Sequence, residues 1–393
     1  MQVKLLNNEK KVKNINEDNR LGFKLDIKTY AMVIALLAIW IIFSATTHGS
    51  FLTPRNLSNL FRQMAITGIL ATGMIFVIIA GQIDLSVGSM MGLLGGIAAI
   101  LNVWYNVSGI ISILITLVIG LLFGLWNGYW VAYRRVPAFI VTLAGQLIFR
   151  GILIGISRGL TIAPLSPDFR FLGQAYFTTV SGYILGAIAV IALIFNMINN
   201  RKAKMKHNLD MPPLMIDVLK LLGFSVIVFV FILVLNMYEG VPVPVFILVV
   251  LALIFTYVLN KTVFGRRVYA IGGNVEAAIL SGIDAKRITL IIFAINGLMA
   301  ATSGVLLTSR LNAASVAAGQ NAELDAIAAC VIGGASLMGG IGTVSGAIIG
   351  ALVMASIDNG MSMLNAAPFW QYVVKGLILL IAVWIDMEAK NKE

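Results

Sequence analysis

The sequence predicts an all-α fold: a polytopic membrane helix bundle of ten to twelve transmembrane segments. Three observations predict it. Of 393 residues, 59% are hydrophobic and 11% are charged, against roughly 25% charged in soluble domains. The mean hydropathy is +0.95, and the apolar residues fall in runs long enough to cross a hydrocarbon core, which takes about 20 residues. The basic residues behind the net charge of +11 sit in short clusters between those runs. That is the pattern of a topology signal, not of a nucleic-acid face.

The composition also sets the domain organisation. Residues 1–28 form a basic tail without an apolar core or small-residue cleavage site, so no cleaved signal peptide is expected. Residues 29–386 read as one transmembrane domain and 387–393 as a short C-terminal tail. No polar block is long enough for a separate soluble domain. The single Cys330 excludes an internal disulfide, and His48 and His207 are too far apart in sequence to suggest a metal site.

The expected spans are 29–46, 64–80, 86–104, 109–132, 137–156, 179–198, 221–238, 243–260, 288–308, 323–339, 341–357 and 369–386. The third, and the pair covering 323–357, are rich in glycine and read as candidates for broken or re-entrant segments. Placing the N-terminus inside and alternating puts 21 Lys and Arg in cytoplasmic segments and five in outer ones: Arg55, Arg62, Arg158, Arg170 and Arg310. This bias predicts an even number of spans and both termini in the cytoplasm. The longest outer loop, 157–178, is too short to be a solute-capturing domain. The two glycine-rich regions also read alike, with Gly88 and Gly92 opposite Gly342 and Gly346, as a weak internal repeat would.

Charged groups at membrane depth are costly, so each is a candidate for a translocation pathway. Asp84 is expected near the cytoplasmic surface, where capping the next helix is the plainer role. Arg150 lies well inside its run and is expected to pair with a carboxylate or carbonyls. Glu323 and Asp325 open a segment expected at the outer face, where the helix dipole alone favours acids. Asp358 and Asn359 end a segment outside, and Lys375 is expected to pair within the bundle.

The polar stretch 264–289, within an expected cytoplasmic loop 261–288, is different. Asn274 suits a helix N-cap, Glu276 to Ala278 are good helix formers, and Gly282 sits where a helix stops. A short helix over 275–281 is expected, flanked by Arg266 and Arg267 before it and Lys286 and Arg287 after it. The sequence has no phosphate-binding P-loop and neither a zinc-protease nor a serine-hydrolase motif. No catalytic residue and no metal ligand is assigned.

Several motifs carry a resemblance. Glu276-Ala277-Ala278 followed by Gly282 resembles the E-A-A-x-x-x-G coupling loop of ABC importer permeases. Asn56-Leu57-Ser58-Asn59-Leu60, the run Ile83 to Gly88, Val136 to Leu143 and Tyr269 to Asn274 resemble membrane permeases of sugar ABC importers of the ribose/galactose/xylose type, over roughly residues 25–387. SVGSMMGLLGG at 86–96, FRGILIGIS at 149–157, FAINGLM at 293–299, AELDAIAACVIGG at 322–334 and DNGMSM at 358–363 resemble its xylose-transporting members in particular. The N-terminal tail and 199–220 depart from the family.

The resemblance implies the ABC importer permease fold, acting as a homodimer in the bacterial inner membrane. It implies a cytoplasmic ATP-binding cassette protein that holds ATP and Mg, and an extracytoplasmic binding protein that delivers D-xylose or a similar monosaccharide. It assigns coupling to the ATPase to Arg266, Arg267, Glu276, Ala277, Ala278 and Gly282. Asp84, Arg150, Glu323, Asp325 and Asn359 remain candidates for the pathway. An ion-coupled secondary sugar transporter is the alternative. It would need a buried carboxylate relay, whereas these carboxylates are expected near the membrane surfaces. A membrane enzyme acting on lipids would need a nucleophile or metal constellation that the sequence does not offer.

Overall fold

Helices satisfy their own backbone hydrogen bonds, which lipid cannot do for them. A computed structural model describes residues 27–208 and 213–390, almost all in helices. The expected basic N-terminal tail falls, but for its last two residues, outside the described residues, as does the end of the C-terminal one. The order is α1 (Ile27–Thr46), α2 (Pro54–Ile79), α3 (Val87–Ala99, continued by a π turn Ile100–Trp104), α4 (Gly109–Ala132), α5 (Ala138–Ser157), α6 (Pro167–Gln174), β1 (Tyr176–Phe177), α7 (Thr179–Lys206), α8 (Leu214–Asn236) and β2 (Val241–Pro242). It continues with α9 (Val243–Lys261), α10 (Val263–Gly273), α11 (Val275–Leu280), α12 (Ala285–Leu311), α13 (Ala322–Ile332), α14 (Val344–Met363) and α15 (Pro368–Lys390). Among the described residues ten helices are long and apolar enough to cross a membrane, and α1 adds a 20-residue apolar helix.

The two-residue strands β1 and β2 pair antiparallel, Tyr176 with Pro242 and Phe177 with Val241. They define one end of the bundle, the ribbon end. Arg62 near the start of α2 donates to the Tyr176 hydroxyl and the Gly173 carbonyl, both at 2.8 Å. The Asp168 carboxylate accepts from Gly109 N at the start of α4. That bond, and above all one to Ser166, hold its carboxyl below the usual range. Both α7 and α9 leave the ribbon and run to the opposite end, where α10 and α11 lie.

Helices α2 and α12 form the buried centre, packed on α3, α4 and α14. Between helices in lipid, close approach of backbones replaces the hydrophobic drive. Gly120, Gly124 and Gly128 of α4 accordingly lie against Gly297, Phe293 and Leu290 of α12. By contrast α7, α8 and α15 are peripheral, with apolar side chains facing outward.

The expected span 323–339 is not a single helix. Only α13, 11 residues, is helical, about 16 Å at 1.5 Å per residue, half of a ~30 Å hydrocarbon core. The loop 333–343 follows it and turns into α14. Non-helical backbone at such depth survives only where protein covers it, and here Gly81 of the reversal 80–86 covers Gly339. Other spans are longer than expected: α2 begins at Pro54, α7 extends to Lys206 and α8 begins at Leu214.

Candidate functional site: a seated helix pair and a buried polar network

At the end opposite the ribbon, three side-chain caps set the path of the chain. Thr262 Oγ1 accepts from Gly265 N, Asn274 Oδ1 from Ala277 N and Asp284 Oδ1 from Arg287 N. Each satisfies an otherwise orphaned N–H at a helix start. The expected short helix is there as α11, and Gly282 ends it with φ of 81°. Ile283 N returns to the Ala278 carbonyl at 3.1 Å and Gly282 N to that of Ile279 at 2.9 Å, a Schellman stop. Arg266 and Arg267 are not in a loop, as expected, but on a second helix, α10, with both side chains exposed.

The pair sits firmly on the bundle. Val268, Ile271 and Ala278 are buried beneath it. Gly272 touches the Ile79 carbonyl at the end of α2, and that same carbonyl accepts from Gly340 N at 2.8 Å. Tyr269 donates its hydroxyl to the Gly342 carbonyl at 2.7 Å. Burial pushes the Tyr269 phenol above its ordinary range, so it remains a neutral donor. The outer side of α11 is bare: Leu280 is 89% exposed, Ile279 54% and Val275 46%, beside exposed Glu276 and Ala277. The tip of this capped helix is thus apolar and left uncovered by the rest of the chain.

Two of the segments that touch this pair lead directly to a buried polar network. From Ile79 the chain reverses to Asp84, which is 1% exposed. Asp84 Oδ1 accepts from Ser86 N at 2.8 Å and Ser86 Oγ at 2.6 Å, and Oδ2 accepts from Asn296 Nδ2 at 2.9 Å. Asn127 of α4 donates to Ser86 Oγ at 2.8 Å. From Gly340, α13 leads back to Glu323, which is 3% exposed. Its Oε1 accepts from Gln146 of α5 at 3.0 Å, and its other oxygen lies against Gly88, one turn beyond Asp84. Arg150, one turn along α5 from Gln146, donates to the carbonyls of Val316 and Ala318.

Two expectations are corrected here. Asp84 is not at a surface. It does cap the next turn, but its partner Asn296 lies 11 residues into α12, about 16 Å along that helix. Glu323 and Asp325 do not open a segment at the outer face, because residues 312–321 fold back into the bundle, where Gly319 meets Gly88 and Ala318 meets Gly92. The argument that the carboxylates lie too shallow for an ion relay therefore falls.

Arg150 binds carbonyls, as expected. Asp325 faces the other way and pairs with Lys375 of α15 at 2.9 Å, which also reaches Asp358 at 3.0 Å. Asn359 is apart from both groups, exchanging amide hydrogen bonds with Asn56 at 2.8 and 3.1 Å. Asn296, Asn127 and Gln146 were not anticipated. The signal was faint: an amide within an apolar run, as in FAINGLM.

Residues 56–383 match the family described as the permease component of branched-chain amino acid transport systems. The chain is 54% identical over 373 residues to the xylose transport system permease protein XylH of Haemophilus influenzae, covering 94% of this chain and 100% of that one. It is 54% identical over 368 residues to XylH of Escherichia coli K12, covering 94% of each. The ribose import permease protein RbsC of Bacillus subtilis is 36% identical over 352 residues, covering 89% of this chain and 90% of that one. No solved structure matches the chain.

Proposed function

Because this chain belongs to the family of permease components of branched-chain amino acid transport systems, we propose that it is the membrane-spanning subunit of an ATP-driven importer that moves D-xylose into the cytoplasm. It is a multi-pass protein of the bacterial inner membrane and not itself an enzyme. A separate cassette protein binds ATP and Mg and hydrolyses the nucleotide, and a binding protein presents the sugar from outside. The permease works as a homodimer, with both termini and the α10–α11 end in the cytoplasm.

The observation that carries this reading is the seated helix pair. Leu280, Ile279 and Val275 present an apolar tip to the cassette protein, with Glu276, Arg266 and Arg267 as its polar rim. Helix α10 is bonded to the Gly340 loop and touches Ile79, so a rigid displacement of the pair moves both joints. Those joints carry the reversal holding Asp84 and the half-helix α13, in whose first turn Glu323 lies. The network therefore changes shape when the pair moves, which supports a role for Asp84, Glu323 and Arg150 in opening and closing the pathway. Asp325 and Asn359 have structural partners and hold α15 and α1–α2 in place.

The test is ATP hydrolysis by the complex purified from native membrane, with and without xylose-loaded binding protein. Stimulation by loaded binding protein is expected. A permease that co-purifies with no ATPase would overturn the reading.

A further inference from the structure

The basic stretch 201–220 is unused by the proposed transport cycle. It forms the end of the α7–α8 hairpin remote from the ribbon. At the ribbon end the two helices are zipped: Asn236 donates to the Thr179 carbonyl at 3.2 Å, Gly182 faces Asn236 and Gly186 faces Ile232. At the far end they spread around a cleft of about 450 Å³. Arg201 and Asp217 form an ion pair across its mouth. Lys204 and Lys220 also line it, and neither has an ion-pair partner among the described residues. Below them the walls are largely apolar, Leu193, Met197, Leu221 and Phe224, with the Asn196 amide among them.

Depth matches this chemistry to a lipid. Counted from Thr179 at 1.5 Å per residue, Leu193 lies about 21 Å along α7 and Arg201 about 33 Å. A hydrocarbon core of ~30 Å therefore places the apolar walls among acyl chains and the cations at the headgroups. Lys220, about 24 Å along α8 counted from Asn236, starts about 9 Å deeper than Arg201 and reaches toward the headgroup layer by extending its side chain. Besides the Arg201–Asp217 pair, the described residues of the mouth supply the two lysines. Basic pockets between membrane helices recognise anionic lipid headgroups in this way.

We infer that the splayed end of the α7–α8 hairpin binds one anionic diacyl phospholipid, with its phosphate between Lys204 and Lys220 and an acyl chain along Leu193, Met197 and Phe224. The inference needs only that α7 and α8 span a bilayer, and it stands apart from the transport reading. The occupant is a lipid because the walls continue as an apolar groove below the cations, which a soluble phosphate would leave uncovered.

The experiment is native mass spectrometry of the full-length detergent-purified protein, given equal amounts of dioleoylphosphatidylglycerol and dioleoylphosphatidylcholine. One retained phosphatidylglycerol per chain is expected, favoured about tenfold over phosphatidylcholine. The double variant Lys204→Gln/Lys220→Gln should lose that preference. Lys202→Gln/Lys206→Gln removes equal charge from the same helix end outside the cleft lining, and should change the preference less than about twofold. Equal losses in the two variants would reduce the effect to diffuse surface charge and overturn the inference. So would a wild type that retains both lipids equally, or a cleft variant that retains phosphatidylglycerol undiminished.

Discussion

Asp84 accepts three hydrogen bonds, two from Ser86 and one from Asn296, in a setting with 1% exposure. Asp84→Asn turns one acceptor into a donor facing donors, at about 1–3 kcal/mol for a buried polar group left unmatched. ATP-driven xylose uptake in proteoliposomes should fall at least tenfold while the variant still inserts and binds its ATPase; unchanged uptake would remove Asp84 from the pathway. Gly88→Ala tests the neighbouring contact, since its Cβ would collide with Glu323 and with the Gly319 carbonyl. Overpacking of this kind costs about 1–3 kcal/mol, so the melting temperature in detergent should drop by several degrees, and an unchanged one would show that the two segments can separate freely. The charges of this network were legible in the sequence because a carboxylate inside an apolar run is conspicuous. Their depth was not, because nothing in the composition of 312–321 says that it folds back inward. Asn296, Asn127 and Gln146 are uncharged, and single amides barely lower the hydropathy of a span.

At the scale of the element, α11 was readable almost to the residue because its cap and stop are local chemistry: Asn274 at one end and Gly282 at the other. Helix α10 was not. Its two arginines and Gly272-Gly273 look like a loop, and only packing on Val268 and Ile271 makes it a helix. Gly282→Val places a β-branched residue at φ of 81°, where only glycine is comfortable, and should abolish pull-down of the ATPase without affecting membrane insertion. Gly273→Ala, with open space around it, is the matched control and should bind normally. Leu280→Asp should weaken the same association about tenfold or more by charging the apolar tip; a variant that binds as tightly as wild type would place the docking surface elsewhere. Helix α15 gives an independent prediction. Lys375→Met leaves Asp325 and Asp358, both partly buried, without their cation, and should lower the melting temperature in detergent because uncompensated charge at membrane depth is costly. Adding Asp325→Asn and Asp358→Asn should recover most of the lost thermal stability, and no recovery would mean that Lys375 acts through something other than these carboxylates.

For the whole molecule, the number of spans and the family were legible, but the packing order was not. Hydropathy measures what a helix can tolerate outside the protein, so in lipid it misleads about burial. Helix α8 is the most apolar of the spans and among the least buried, whereas α2 is less apolar and the most buried. Small residues mark the centre instead, as along α4 and α12, because they let backbones meet. The resulting bundle has a rigid core, a helix pair seated on one end of it, and a buried network at the two joints beneath that pair. The central claim is that force on α10–α11 opens a sugar pathway, and ATP hydrolysis by the reconstituted complex tests it most directly. The account predicts hydrolysis stimulated by xylose-loaded binding protein, coupled to xylose uptake, with both lost in Gly282→Val. Xylose uptake that follows an ion gradient without ATP, and survives Gly282→Val, would contradict it.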